Sequence, residues 1–368
     1  MRDTVFVPSF GNRPRNLVGR EEILATFKSA LQSMPGSRER AMLILGQRGS
    51  GKTVLLLEFA DIARKCGWMV ASPTIVSKEM PNRILEKLQS EGDEYISKDK
   101  AQISGGSLSA FGFGGGFDLK FEDQPPKSFA WRLSKICTEL NKYDKPVLIL
   151  VDEVQANHEE LRQLIVAYQE MVGEGLDVSI VLAGLPTSVS SVLNDHVLTF
   201  LNRATKTQLP PLRTGDIAFY YHNAFSDLGI HLNQEQISMA SEETAGSPYL
   251  MQLIGHYVVL AAKSDGTIDN AQFSSAIQRA KEDFMNDVCM TALAPLSEKD
   301  IAFLAAMAID DAPSEMSAII SRLHCTSSMA QTYKRRLIQS GMITQPKRGK
   351  VQFAIPYLRE YLYKNYAD

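Results

Sequence analysis

Gly46, Gly51, Lys52 and Thr53 stand in the octapeptide GQRGSGKT (46–53), and their types and spacing suit the binding of a polyphosphate. Such an anion needs several backbone N–H donors aimed at it from close range. Glycine permits that approach because it lacks a Cβ and tolerates positive φ. The helix that follows the loop would turn its positive end toward the same charge. The pattern G-x4-G-K-T is met in full, and an apolar run, AMLILG, precedes it. On this reading Gly46, Gln47, Arg48, Gly49, Ser50, Gly51, Lys52, Thr53 and Val54 line the phosphates of ATP. Lys52 sets its ammonium against the β- and γ-phosphates, and Thr53 offers a hydroxyl to Mg²⁺.

A second chemistry-bearing pair lies about a hundred residues downstream, where VLILV runs into Asp152 and Glu153. Five consecutive apolar residues read as a strand buried on both faces. Ligands of parallel sheets bind beyond the carboxyl ends of such strands. Asp152 is thereby expected to hold Mg²⁺ and Glu153 to act as general base on the attacking water, an ATP-to-ADP hydrolysis.

Other constellations fail. His158-Glu159-Glu160 lacks the second histidine of a zinc-protease helix, and no G-x-S-x-G elbow occurs. The four cysteines, Cys66, Cys137, Cys289 and Cys325, form no C-x-x-C pair and read as buried thiols of a reducing compartment. The opening residues lack a signal-peptide core, and no apolar run approaches a membrane span, so the expected location is the cytoplasm.

The elements that must carry these groups alternate. Helical spacing over 17–32 leads to the strand 41–46, a helix over 53–65, a strand over 68–76, helices over 80–96 and 129–143, the strand 147–151, a helix after His158, and the strand 178–184. That order predicts an α/β fold with a parallel sheet covered on both faces. From about residue 212 to 288 only helices follow. Four units are expected: an extended arm (1–16), a phosphate-loop core (17–211), an α-helical lid (212–288) and a C-terminal module (289–368).

With these motifs the chain resembles the AAA+ ATPases, in particular the clade near the origin-recognition initiators of archaea and eukaryotes. LVGREEIL is similar to that clade's adenine-side box, which implies that Leu17 and Val18 touch the base. FLNRATKTQLPPL resembles the stretch carrying an arginine finger, which makes Arg203 the candidate, against the plainer alternative of a surface salt bridge. The resemblance further implies homo-oligomers that share active sites. Two departures stand out: Gly184 occupies the place of a polar sensor, and Tyr249 the place of a lid arginine. Both imply slow, switch-like turnover. Tyr249 remains a candidate nucleotide contact.

Residues 296–343 read as three helices, followed by two short strands joined at Lys347-Arg348-Gly349, the pattern of a winged helix-turn-helix. Ser327 or Ser328 is the expected cap of the third helix. Residues 321–350 carry seven Lys and Arg and no acid, which leaves −10 on the rest of a chain whose net charge is −3. A basic face on an acidic protein is the footprint of a duplex-DNA binder, through Lys334, Arg335, Arg336, Lys347, Arg348 and Lys350. Such modules also brace lids or bind proteins. The alternative function is therefore a signalling or defence switch of the oligomerising STAND kind, without a DNA role.

One stretch stays apart. ISGGSLSAFGFGGGFDLKFE (103–122) holds six glycines, with phenylalanines at even spacing. It reads either as a variable surface hairpin or as a loop that grips a polymer in an oligomer's channel.

Overall fold

The computed structural model describes residues 5–8, 17–96, 128–155, 158–193 and 198–366. The glycine–phenylalanine stretch and most of the N-terminal arm lie outside the described residues.

Five parallel strands form the central sheet: β1 (Ala41–Leu45), β2 (Met69–Ile75), β3 (Val147–Val154), β4 (Val178–Gly184) and β5 (Thr205–Gln208), in the order β2-β3-β4-β1-β5. Helices α1 (Glu21–Leu31) and α2 (Lys52–Lys65) cover one face. On the other lie α3 (Met80–Ile96), α4 (Phe129–Asn141) and α5 (Glu159–Gly173). The two-residue period of a strand sorts the apolar side chains. Met42, Ile44, Leu148 and Leu150 face Phe27 and Phe59, whereas Leu43, Val147, Ile149 and Val151 face Leu85, Leu133 and Leu164. Both faces are covered, so the strands are apolar throughout, as expected for a parallel sheet.

After β4 come the short helix α6 (Pro186–Leu193) and a 3₁₀ turn (Thr199–Arg203) that delivers the chain to β5. The lid follows: α7 (Thr214–Asp227), α8 (Gln234–Glu243), α9 (Pro248–Ala261) and α10 (Asn270–Phe284). Asn233 with Gln236, and Asp269 with Gln272, form capping boxes that open α8 and α10. Phe6 of the N-terminal arm is buried in this lid among Tyr220, Tyr221 and Phe225. Gly255 lacks a side chain where the Phe6 ring lies, since an added Cβ would stand 2.1 Å from that ring.

α10 runs on through a π-helical turn (Met285–Met290) into Thr291–Leu293. The expected boundary at 288/289 thus falls within continuous helix. Beyond it come α11 (Glu298–Ala308), β6 (Ser314–Glu315), α12 (Met316–Leu323), α13 (Ser327–Gln339), β7 (Ile343–Lys347), β8 (Lys350–Phe353) and α14 (Leu358–Tyr366). The small sheet is antiparallel, in the order β6-β8-β7. Thr326, not Ser327 or Ser328, caps α13, its side chain accepting from the Met329 N–H.

Lid and C-terminal module share one apolar cluster reaching from Phe6 to Leu362. A polar joint reinforces it. Tyr357 donates to the Glu243 carbonyl and carboxylate at 2.7 and 2.8 Å, and Lys281 pairs with the same carboxylate at 2.8 Å. Burial alone would raise the Glu243 carboxyl's pKa, but the hydrogen bonds from Lys281 and Tyr357 outweigh it and hold the pKa below the usual value. Cys66, expected to be buried, is exposed at the end of α2; Cys137 and Cys289 are buried and Cys325 is partly so.

Candidate nucleotide site and basic surface

The turn between β1 and α2 wraps a cradle at the carboxyl edge of the sheet. Gly49 and Gly51 hold φ of +73° and +86°, the left-handed region that suits glycine. A Cβ on Gly46 would lie 2.3 Å from the Ser50 hydroxyl, so a side chain there would displace that hydroxyl from the loop. Lys52 opens α2 and folds its ammonium back over the loop, donating to the carbonyls of Gly46 at 2.9 Å and Gln47 at 2.8 Å. Burial lowers its pKa, opposed by the nearby charges of Asp152 and Glu153.

β3 delivers the acids. Its pairing with β4 is irregular between Val151 and Val154, so the two acids sit in a break of the ladder. Asp152 is 3% exposed and accepts the Thr53 hydroxyl at 2.5 Å. Glu153 points to solvent with φ +52°, and its N–H donates to the other Asp152 oxygen at 2.8 Å. A carboxylate in left-handed backbone at a site edge is local strain of the kind functional positions hold. Among the described residues no cluster of three or more His, Cys, Asp or Glu could hold a metal. One hydroxyl and one carboxylate oxygen in direct contact are hard donors suited to Mg²⁺, which keeps several of its waters and takes further oxygens from phosphates. Thr53 and Asp152 thus fit that ion.

The remaining candidates are distributed around this cradle. Arg48 is exposed on the loop, and Val54 is half-buried in the first turn of α2. Leu17 packs against the α1–α2 cluster and Val18 against the lid cluster, so the segment bridges core and lid. Arg203 is exposed beside edge strand β5, and among the described residues it has no acidic partner. Tyr249 donates its hydroxyl to Asp287 at 2.6 Å, and burial with that contact raises its pKa. Gly184, where the resemblance expects a polar sensor, has Val154 O 3.0 Å and Val189 3.2 Å from where a Cβ would sit.

Several contacts around the site were not legible in the sequence. Ser247 and Pro248, at the start of α9, lie within 3.9 Å of where side chains on Gly49 and Gly51 would begin. Thr187 of α6 donates to the Gln339 carbonyl at the end of α13, 2.8 Å away. Next to it Gly341, at φ +72°, brings its backbone against Gln47, whose Oε1 is buried without a partner among the described residues and would lie 3.0 Å from a Cβ there. The C-terminal module therefore touches the phosphate loop itself.

The basic surface is smaller than its seven charges suggest. Arg322 pairs with Asp310 at 2.5 Å, Arg336 with Asp300 at 2.6 Å, and Lys350 with Glu315 at 2.9 Å. Lys334 bridges α13 to β7 through Gln345 at 3.2 Å. Arg335, Lys347 and Arg348 are exposed and have no acidic partner among the described residues. A shallow cavity of about 610 Å³ runs along the exposed side of α13, lined by Gln331, Thr332, Arg335, Ile338 and Gln339 among others.

Residues 16–182 match the family model for the AAA ATPase domain, and residues 286–362 match a model described as a domain of unknown function. No curated protein matches the chain. Among solved structures, a Walker-type ATPase of Pyrococcus abyssi superposes with a TM-score of 0.69 at 16% identity, over 98% of this chain and 99% of the other. The ORC2 protein of Aeropyrum pernix, in ADPNP–ADP complexes, gives 0.65 at 14% identity, over 97% and 96%. Cdc6p of Pyrobaculum aerophilum gives 0.50 at 13%, over 97% and 96%. Among the described residues no helix is long and apolar enough to cross a membrane.

Proposed function

We propose, from the match of residues 16–182 to the AAA ATPase domain model, a nucleotide-controlled, duplex-DNA-binding ATPase of the cytoplasm, with slow turnover. The observation that carries the nucleotide half is the 2.5 Å contact of Thr53 with Asp152 beside Lys52. It puts two oxygen donors and an ammonium at one rim of the sheet. Lys52 would exchange its loop carbonyls for phosphate oxygens. Glu153, adjacent and open to solvent, would take a proton from the attacking water. Bound Mg²⁺, held by Thr53 and Asp152, supplies charge neutralisation to the triphosphate. The ADPNP–ADP complexes of the Aeropyrum pernix ORC2 protein support nucleotide at this site. Arg203, exposed and without an acidic partner among the described residues, would reach the γ-phosphate of a neighbouring copy in an oligomer. Gly184 and Tyr249 offer neither of the sensor groups that accompany fast turnover.

The DNA half rests on the C-terminal module. Its order of helix, strand, two helices and hairpin supports reading it as a winged helix-turn-helix. Arg335 on α13 and Lys347-Arg348 in the β7–β8 turn present charges that no acid neutralises among the described residues. Titration of a labelled duplex at several salt concentrations, with and without ATP, tests the reading. Affinity that falls with salt and depends on nucleotide is the expected result, and no binding at low salt discards it.

A second reading, a signalling switch without DNA, is favoured by the docking of Gln339 and Gly341 on Thr187 and Gln47. There the module would act only as a brace on the phosphate loop.

A further inference from the structure

Arg20 is a cation buried to 4% exposure within reach of the phosphate loop, with no acidic hydrogen-bond partner among the described residues. Burial lowers its pKa, and Glu21 offsets this only through its charge. An isolated buried charge costs several kcal/mol, so an apolar residue would serve packing better. What the guanidinium obtains instead is two backbone carbonyls from segments far apart in sequence. Nη2 donates to Pro210 O at 2.9 Å and, more weakly, to Ser50 O at 3.4 Å.

Those carbonyls belong to the two parts that must be aligned for turnover. Ser50 lies in the loop, two residues before Lys52. Pro210 lies in the connection from β5 to the lid, where the Leu212 N–H donates to Gly246 O at 2.9 Å. Gly246, at φ +70°, is seated so closely that a Cβ would lie 2.7 Å from Pro211 and 2.9 Å from Leu212 O. The next residues, Ser247 and Pro248, close the ring against Gly49 and Gly51.

We propose that Arg20 is a positioning residue of the ATPase site, fixing the lid's angle over the phosphate loop through Pro210 and Gly246 without touching the nucleotide. The inference rests on the nucleotide assignment, and its test separates the two. Arg20→Met and Arg20→Lys are compared by ADP titration and by steady-state hydrolysis. If the site binds no nucleotide in the unsubstituted chain, the nucleotide assignment itself fails. Given binding, Arg20→Met should lower kcat by about tenfold to a hundredfold, the effect of a small misplacement, with ADP affinity little changed. Arg20→Lys, which can still reach a carbonyl, should recover part of kcat. Equal loss of kcat and affinity would make Arg20 a nucleotide ligand, and loss of affinity alone or no change would leave it without this role; each result overturns the proposal. Gly246→Ala forces the same hinge open from its other side. It should reproduce the loss of kcat, including where Arg20→Met does not fold, and an unchanged kcat in Gly246→Ala sinks the relay.

Discussion

Thr187 donates its hydroxyl to the carbonyl of Gln339 at 2.8 Å, which fastens the first turn of α6 to the carboxyl end of α13. α6 follows the strand that flanks the phosphate loop, and Gln339 lines the cavity along α13. Gly341, two residues on from Gln339, lies against Gln47 of the phosphate loop.

Thr187→Val keeps the shape of the side chain and removes the donor. A neutral hydrogen bond of this kind contributes about 1 kcal/mol, so the docked fraction should shift by about fivefold. Hydrogen exchange at Gly341 and Met342 is the direct measurement. Faster exchange with unchanged melting is expected, and identical exchange would show that the contact does not hold the module.

Lys52→Ala and Glu153→Gln should separate binding from chemistry. Loss of charge-assisted bonds worth about 1.5–3 kcal/mol each should weaken ATP by roughly a hundredfold in the first. The second should retain affinity and lose about 10²–10⁴ in kcat, as expected of a general base. Equal ATP affinity in Lys52→Ala, or hydrolysis at the unsubstituted rate in Glu153→Gln, would remove the respective role.

The parts legible in the sequence are those written locally. GQRGSGKT encodes its own loop because glycine fixes where φ turns positive, and VLILVDE encodes a strand whose end must reach the sheet edge. The same logic gave the α/β core, which the structure and the AAA ATPase match bear out. What escaped was set by tertiary packing. Asp300 and Asp310 lie before the basic window, so counting charges over 321–350 could not show that they pair with Arg336 and Arg322. The inward turn of Arg20 depends on Pro210, 190 positions away, and the Thr187–Gln339 contact spans 152.

The thiols should report the fold. Burial pushes Cys137 and Cys289 up to about 12, so both stay protonated and shielded at neutral pH. Cys66 is exposed. Mass spectrometry after brief alkylation should find Cys66 modified first, Cys325 more slowly, and the other two only in denaturant. Early labelling of Cys137 would contradict the packing of α4 on the sheet.

The basic residues divide into two groups with opposite expected phenotypes. Arg335, Lys347 and Arg348 have no acidic partner among the described residues, so their replacement by Ala should leave melting nearly unchanged. If they meet phosphates, each lost contact should reduce the slope of log K against log salt by about 0.9. Arg336 instead pairs with Asp300, which is 8% exposed, and lies over the Tyr333 ring at 5.2 Å. Arg336→Ala leaves that carboxylate buried without its cation, at a cost of about 1 kcal/mol once screening of the half-exposed guanidinium is allowed for. Lower melting with an unchanged salt slope is the expected signature. A salt slope that responds to Arg336 but not to Arg335, Lys347 and Arg348 would place the duplex on a different face of the module.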